Sequence, residues 1–376
     1  MIFVPYLFLV YATIYISYQL VLIVRIILNT KFKLSYPFSE NPTISILIAA
    51  RNEEASILTC LKAIEGLHYP TNKIEVWIGD DQSTDATNAI VSNYIQDKPY
   101  VKLVSIKPTL TQVKGKANVL AQLAKLATGE FLFITDADIQ VPSNWIKSLL
   151  SGFKDSVGIV SGSTVVDGSG IYAKVQRIDW AYASGMIHVV SDMNIPVTAV
   201  GNNMAIRKTC YEETGGYENL PFSVTEDLEL FLAVLKKGWG FRNLLNADST
   251  ARSSALPSVY EVLQQRKRWT TGAFRLPKIL LVFLIIQALY FPVLLLAFLS
   301  LPILWVIPFW FTIFSLHAAF ITVVSIKMNM PDIKKHIVLF ELNRYVFPMM
   351  LFVYNLLPIG VKWKGRTYKG KEIQPK

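Results

Sequence analysis

Cysteine is nearly absent: Cys60 and Cys210 are the two in 376 residues, which excludes a disulfide-stapled secreted domain and a cysteine-rich zinc site. Charge is scarce as well. Asp, Glu, Lys and Arg make up 17% of the chain against 52% hydrophobic residues, where soluble domains carry roughly a quarter charged, so neither a disordered chain nor a purely cytosolic one fits. No Gly-x-Gly-x-x-Gly fingerprint follows the first apolar run at 44–50, which argues against a soluble dinucleotide enzyme. Excess positive charge is missing where a nucleic-acid binder would need it. Residues 41–277 hold 23 acidic and 23 basic side chains, so the net charge of +10 lies wholly outside them. It comes from Arg25, Lys31, Lys33 and Lys278, from +2 over 327–336 and +5 over 362–376, less Glu40. Basic residues flanking apolar runs mark the cytoplasmic side of a membrane protein, and nucleic acid is set aside as a partner.

The apolar runs are long. Residues 2–28 carry one charge, Arg25, and suffice as a helix to cross a hydrocarbon core of roughly 30 Å. No basic residues precede the run and no small-residue cleavage site follows it, which predicts a retained anchor over 1–30 with its N-terminus outside and a cytosolic continuation. Residues 279–326 contain no Asp, Glu, Lys or Arg; at about 1.5 Å per residue that is about 72 Å of helix, two crossings with the turn near Leu301-Pro302. A third C-terminal stretch, 337–360, carries Glu341 and Arg344, three apart and able to pair on one helix face. Basic residues on both sides of it leave crossing and re-entrant topologies equally open.

Between these runs, over 31–277, strand-like and helix-like patterns alternate with short loops. Strands are expected over 44–50, 75–79, 101–106 and 131–135, each followed by a helical stretch, so the fold class is α/β with a mostly parallel central sheet and transmembrane helices at both ends. Ligands of such sheets collect at the carboxyl ends of the strands, where the polar clusters fall. Asp136-Ala137-Asp138 follows Phe-Leu-Phe-Ile-Thr directly; a hard divalent cation shared with a diphosphate suits such a pair, although an Asp-rich turn or helix cap is the commoner account of a lone D-x-D, and here it is not alone. Asp80-Asp81-Gln82-Ser83-Thr84-Asp85 can cap the next helix, which explains one aspartate and leaves the repelling Asp80-Asp81 pair without a local return. Lys114-Gly115-Lys116 opens a helix and can face phosphate or solvent. Thr225-Glu226-Asp227 begins another, as an N-cap or as a carboxylate able to act as a general base. Gln264-Gln265-Arg266-Lys267-Arg268-Trp269 reads as an amphipathic interfacial helix.

In this order the motifs Ala50-Arg51-Asn52-Glu53, Asp80-Asp81, Lys116-Ala117-Asn118, Asp136-Ala137-Asp138, Thr225-Glu226-Asp227 and Gln265-Arg266-Lys267-Arg268-Trp269 resemble the membrane-bound family 2 glycosyltransferases, which include processive polysaccharide synthases and ceramide- and hopanoid-type lipid transferases. The resemblance implies a GT-A-type nucleotide-sugar-binding domain, inversion at the sugar anomeric centre, and Mg²⁺ or Mn²⁺. Carried over by position, Glu53 and Asp81 contact the uridine of a UDP-sugar donor, Lys116 lies on the diphosphate side, and Asp136 with Asp138 forms the metal site, Asp136 also facing the nucleotide. Asp227 is similar to the family's base, and Gln265, Arg268 and Trp269 to the motif that closes over the nucleotide. Gly201-Asn202-Asn203 stands where relatives line the acceptor site, but its paired asparagines depart from the usual small residues. Lys116-Ala117-Asn118 departs likewise from Lys-Ala-Gly.

Few crossings and a site at the membrane surface suit a lipid acceptor. The stretch 361–368, with Trp363, Lys364, Gly365, Arg366 and Tyr368, also resembles the W-[KR]-G-[KR]-x-Y ending of the lipid transferases, though a basic interfacial anchor has the same composition. The expected function is therefore inverting transfer from a UDP-sugar to a lipid by an integral protein of the cell (inner) membrane with its catalytic domain in the cytosol. The rivals are a processive polysaccharide synthase and a non-catalytic nucleotide-sugar-binding scaffold.

Overall fold

The computed structural model describes residues 3–28, 36, 38–107, 113–273, 275–363 and 366–368; Lys31, Lys33, Lys364, Gly365 and the tail from 369 lie outside the described residues. The first half runs α1 (Phe3–Leu28), β1 (Ile44–Ala50), α2 (Ile57–Glu65), β2 (Ile74–Asp80), α3 (Thr87–Tyr94), β3 (Val101–Ser105), α4 (Lys116–Leu126), β4 (Phe131–Asp136), α5 (Trp145–Leu150), β5 (Val157–Ser161), β6 (Ser163–Asp167) and α6 (Gly170–Asp192). The second runs β7 (Asn203–Arg207), α7 (Lys208–Glu213), α8 (Glu226–Lys236), β8 (Gly240–Asn243), β9 (Thr250–Ser254), α9 (Val259–Ala273), α10 (Lys278–Ala288), α11 (Tyr290–Ser300), α12 (Ile303–Lys327), α13 (Ile337–Leu356), β10 (Val361–Trp363) and β11 (Arg366–Tyr368). They form two units, one of 34–167, 198–272 and 359–376, the other of 1–33, 168–197 and 273–358. The sequence reading ran the central domain unbroken from 31 to 277; residues 168–197, with α6, group instead with the terminal helices.

The first unit is built on a seven-stranded sheet of order β3-β2-β1-β4-β7-β5-β8. Strands β1 to β4 pair in parallel, and β7 is antiparallel to β4 and β5, so the sheet is α/β and mostly parallel as expected. Strand β1, Ile-Ser-Ile-Leu-Ile-Ala-Ala, is almost entirely buried, as a strand covered on both faces must be. Phe131 and Phe133 of β4 meet Phe153 and Trp145 edge to face, with ring centroids 4.8 and 5.0 Å apart, a geometry that adds to their area burial. Gly79 of β2 lets α4 lie close: a Cβ there would stand 2.4 Å from Val119 Cγ1. The register sets Ala50 beside Asp80 and Ala49 beside Asp136, bringing three carboxyl-terminal strand ends side by side. Strands β10 and β11 form an antiparallel hairpin on which Tyr368, buried, packs its ring 5.6 Å from that of Phe222.

In the second unit four segments, Val4–Leu28, Lys278–Ser300, Ile303–Lys327 and Ile333–Leu356, are long and apolar enough to cross a membrane. The break between α10 and α11 falls where Pro292 lacks an N–H and crowds the carbonyl four residues back, and Pro302 caps α12, at the expected turn. Polar side chains meet inside these helices. His317 of α12 presents Nδ1 to Glu341 of α13, and its Nε2 lies 3.2 Å from the Gln19 amide nitrogen of α1. The amide can only donate, so Nε2 accepts and the imidazole N–H faces the carboxylate. Arg344 donates from Nη2 to Tyr15 Oη and to Gln287 Oε1, each at 2.6 Å, with its guanidinium 5.5–5.6 Å from the rings of Tyr182, Tyr290 and Phe340. Glu341 and Arg344 therefore do not pair on one helix face as their spacing allows; each reaches other helices. Removing Glu341 leaves the His317 N–H unsatisfied in the interior, at about 1–3 kcal/mol. Glu341→Ala is expected to lower unfolding stability in detergent by that amount, and adding His317→Phe to cost much less than it does alone, as a double-mutant cycle by thermal unfolding would read.

Candidate functional site

The loops leaving β1 and β2 lock onto each other. Asn52 (φ 54°) and Gln82 (φ 58°) both take left-handed backbone, which asparagine tolerates and glutamine seldom adopts, at about 1–3 kcal/mol each. Asn52 Oδ1 accepts the Thr84 N–H at 2.8 Å, Asn52 N–H donates to Ser83 Oγ at 3.1 Å, and Arg51 donates to the Asp81 carbonyl at 2.5 Å. Asp80 does have a local return, contrary to its sequence reading: its carboxylate accepts from Ser83 N–H at 3.0 Å and from Asn88 at 2.9 Å. The N-cap position of α3 falls on Ala86 and carries no side-chain cap, and Asp85, one residue ahead of it, accepts from the N–H and hydroxyl of Thr87. Asp81 is left buried at the loop's inner side, 3.9 Å from Arg51.

The centre of the site is Lys116, at the first position of α4. Its ammonium lies 2.5 Å from Asp136 Oδ1, 3.2 Å from Glu226 Oε1 and 3.1 Å from the Gly201 carbonyl oxygen. Burial opposes this charge, but Asp136 and Glu226 outweigh it and raise the lysine above its ordinary value. Burial likewise pushes the Glu226 carboxyl up, with Lys116 the first group to offset it. Gly201 also turns its own N–H, in the preceding peptide, to Asp227 Oδ2 at 3.0 Å, while Leu228 N–H holds Oδ1 at 2.9 Å. Both oxygens of Asp227 are thus aimed by backbone. Position 201 tolerates only glycine there, since a Cβ would stand 2.6 Å from the Asp227 Cβ and 2.7 Å from Oδ2.

Two buried groups show how the carboxylates converge. Burial pushes the Cys60 thiol up, followed by Asp138, Asp136 and Glu53; burial pushes the Tyr217 hydroxyl up, with Glu226, Asp227 and Asp136 adding to it. Asp136 is common to both. Asp80-Asp81 lies two strands away across β1, about 10 Å. Asp138 accepts from Ser253 Oγ at 3.2 Å. Gln265, Arg268 and Trp269 sit half-buried on α9, which grips the loop ahead of Asp227 through Arg268 donating to the Val224 carbonyl at 3.1 Å; the Arg266 guanidinium lies 4.5 Å from the Trp269 ring. Direct contacts therefore join Lys116, Asp136 and Glu226, and the Gly201 backbone links Asp227 to them; shared proximity to Cys60 joins Glu53 and Asp138; Asp81 and α9 attach through loops.

Carboxylates at a strand end are hard oxygen donors of the type Mg²⁺ and Mn²⁺ take. Among the described residues no group of three or more His, Cys, Asp or Glu could hold a metal by itself, so a cation on Asp136 and Asp138 would draw its remaining ligands from a substrate. Two residues in the site escaped sequence reading. Glu226 stands beside Asp227 in the Thr225-Glu226-Asp227 motif, where one carboxylate hides the other, and Gly201 acts through its backbone, leaving no side-chain signal. The paired asparagines next to it are structural: Asn203, fully buried, donates to the Ser163 and Ser249 carbonyls at 2.7 and 3.0 Å and accepts from Trp145 at 2.8 Å, while Asn202 accepts from Thr164 at 2.9 Å. Asn118, the other departure, ties α4 to the Lys107 carbonyl at 3.3 Å.

The profile of glycosyl transferase family 21 matches residues 4–373. The chain is similar to a β-monoglucosyldiacylglycerol synthase of Nostoc sp., 27% identical over 248 residues that are 62% of this chain and 49% of the relative. It is similar also to a poly-β-1,6-N-acetyl-D-glucosamine synthase of Staphylococcus epidermidis, 26% identical over 188 residues, 49% of this chain and 44% of that one. The chain spans about half the length of the curated relatives it matches. A mannosyltransferase from Pyrobaculum calidifontis, solved in complex with GDP-Man and Mn²⁺, superposes with a TM-score of 0.54 at 18% identity, over 92% of this chain and 99% of that one, and so shares the fold. Displacing a positioned carboxylate by about 1 Å costs on the order of 10²-fold in rate. Gly201→Ala is expected to lose turnover on that scale, with nucleotide binding by calorimetry close to wild type.

Proposed function

The chain belongs to glycosyl transferase family 21, and from that premise we propose that it transfers a sugar from a UDP-sugar to the hydroxyl of a membrane lipid with inversion at the anomeric carbon. The observation that carries this reading is the chain of contacts Asp136–Lys116–Gly201–Asp227, in which a buried cation suited to a diphosphate and a backbone-aimed carboxylate are held by the carbonyl and the N–H of one glycine. Asp227 takes the proton of the acceptor hydroxyl as its oxygen attacks C1 from the face opposite the diphosphate. Lys116 opposes the charge that collects on the departing UDP. Glu53 and Asp81, on the interlocked loops, receive the uridine, and Gln265, Arg268 and Trp269 close over the nucleotide from α9. A divalent cation on Asp136 and Asp138 would neutralise the diphosphate further and fix its geometry.

The lipid acceptor is supported by the Nostoc relative, whose name gives diacylglycerol as the lipid glucosylated, and by four helices able to cross a membrane. The helices support a membrane protein, and the basic residues flanking the apolar runs favour a catalytic domain on the cytosolic side of the cell (inner) membrane. A polymer acceptor draws on the Staphylococcus relative over a shorter match.

Asp227→Asn removes the base and is expected to lower turnover at least about 10²-fold with UDP binding retained; near wild-type transfer would end the assignment. Membranes incubated with radiolabelled UDP-sugars should place label in the organic phase, one sugar per lipid by mass, whereas water-soluble label in long chains would favour the polysaccharide reading. Chelation should abolish transfer and Mg²⁺ or Mn²⁺ restore it; turnover indifferent to a chelator would remove the metal.

A further inference from the structure

The Lys116 ammonium lies within ion-pair reach of two carboxylates, Asp136 at 2.5 Å and Glu226 at 3.2 Å, and donates to the Gly201 carbonyl at 3.1 Å. A diphosphate must compete with these partners for its three donors. The lysine also occupies Asp136, a carboxylate that the proposed function gives to the metal. A divalent ion at about 2 Å from Asp136 and an ammonium 2.5 Å from the same group would be neighbouring like charges, and in a largely buried pocket their repulsion is weakly screened. Glu226, its side chain 7% exposed, offers the lysine a second anchor that does not compete with the cation.

We propose that Lys116 is a resident cation that competes with the divalent metal for Asp136, so that metal and nucleotide load together: the diphosphate draws the ammonium off Asp136, the metal takes its place, and Glu226 keeps the lysine within reach as a positioning residue. This rests on the reading of Asp136 and Asp138 as the metal site. It gives an unusual sign. Deleting a positive side chain that serves only to hold phosphate should leave metal binding in the absence of nucleotide unchanged, whereas deleting a competitor should strengthen it. The arrangement also keeps the pocket's carboxylates partly neutralised between turnovers without recruiting a cation that has no substrate to act on.

The test is Mn²⁺ binding to the metal-stripped, full-length protein in detergent, by calorimetry, with and without UDP. Wild type is expected to bind Mn²⁺ at least about tenfold more tightly when UDP is present. Lys116→Gln is expected to bind Mn²⁺ without UDP at least about tenfold more tightly than wild type, and Lys116→Arg, which keeps the charge, to stay as weak as wild type. Lys116→Gln binding Mn²⁺ no more tightly than wild type would overturn the competition while leaving the metal site standing. Should Lys116→Gln fail to fold, as judged by thermal unfolding, the wild-type titrations still decide: equal Mn²⁺ affinity with and without UDP overturns the proposal. Failure of wild type to bind Mn²⁺ under either condition, with sugar transfer surviving a chelator, would remove the metal reading and the proposal with it.

Discussion

A lysine ammonium held among Asp136, Glu226 and the Gly201 carbonyl is the constraint around which the sheet unit is arranged. A buried charge without partners would cost several kcal/mol, so the four chain segments that meet here must arrive together: the start of α4, the end of β4, the start of α8 and the loop before β7. The sheet makes this possible. Parallel β1, β2 and β4 end side by side, and Gly79 allows α4 to settle close enough for its first residue to reach the neighbouring strand's last. Gly201 then couples charge to geometry, since its carbonyl meets the ammonium and its N–H, one peptide earlier, orients Asp227.

The helical unit solves a different problem. Apolar side chains give helices in lipid little preference for one another over the acyl chains, and packing and hydrogen bonds must select the partners. Here that selection is made by side chains expensive to leave alone. Glu341 binds His317 on the preceding helix, Arg344 reaches α1 and α10 through Tyr15 and Gln287, and Gln19 turns toward both His317 and Tyr182. Replacing any of them by leucine would remove information about which helix sits beside which.

Much of this was legible in the chain. Strand ends bearing Asp80-Asp81 and Asp136-Ala137-Asp138 stood out because charge after a buried apolar run lacks a structural reason. The helix beginning at Lys116 was readable to the residue because Gly115 and the apolar pattern after it mark its start. What escaped depends on partners distant in sequence. Asp80 is the exception, since Ser83 and Asn88, which satisfy it, stand only three and eight positions on. Asn203 looked like an unusual acceptor-site residue because its carbonyl partners lie 40 and 46 positions away. Glu341 and Arg344 were spaced to pair with each other, and helix geometry alone could not foresee the imidazole and phenol that claim them. Glu226 was masked by Asp227, because two adjacent acids at a helix start read as one cap.

The hairpin of β10 and β11 has a bearing on how the protein is made. Tyr368 packs on Phe222, two residues ahead of Val224, whose carbonyl α9 holds. Some 145 positions separate the two rings, and α10 to α13 are translated in between. A ribosome must therefore have made every hydrophobic helix before the segment preceding Asp227 acquires this aromatic neighbour. Packing of that segment is in this way deferred until nearly the whole chain has been synthesised, and a nascent chain that stops short of Tyr368 carries it without that ring.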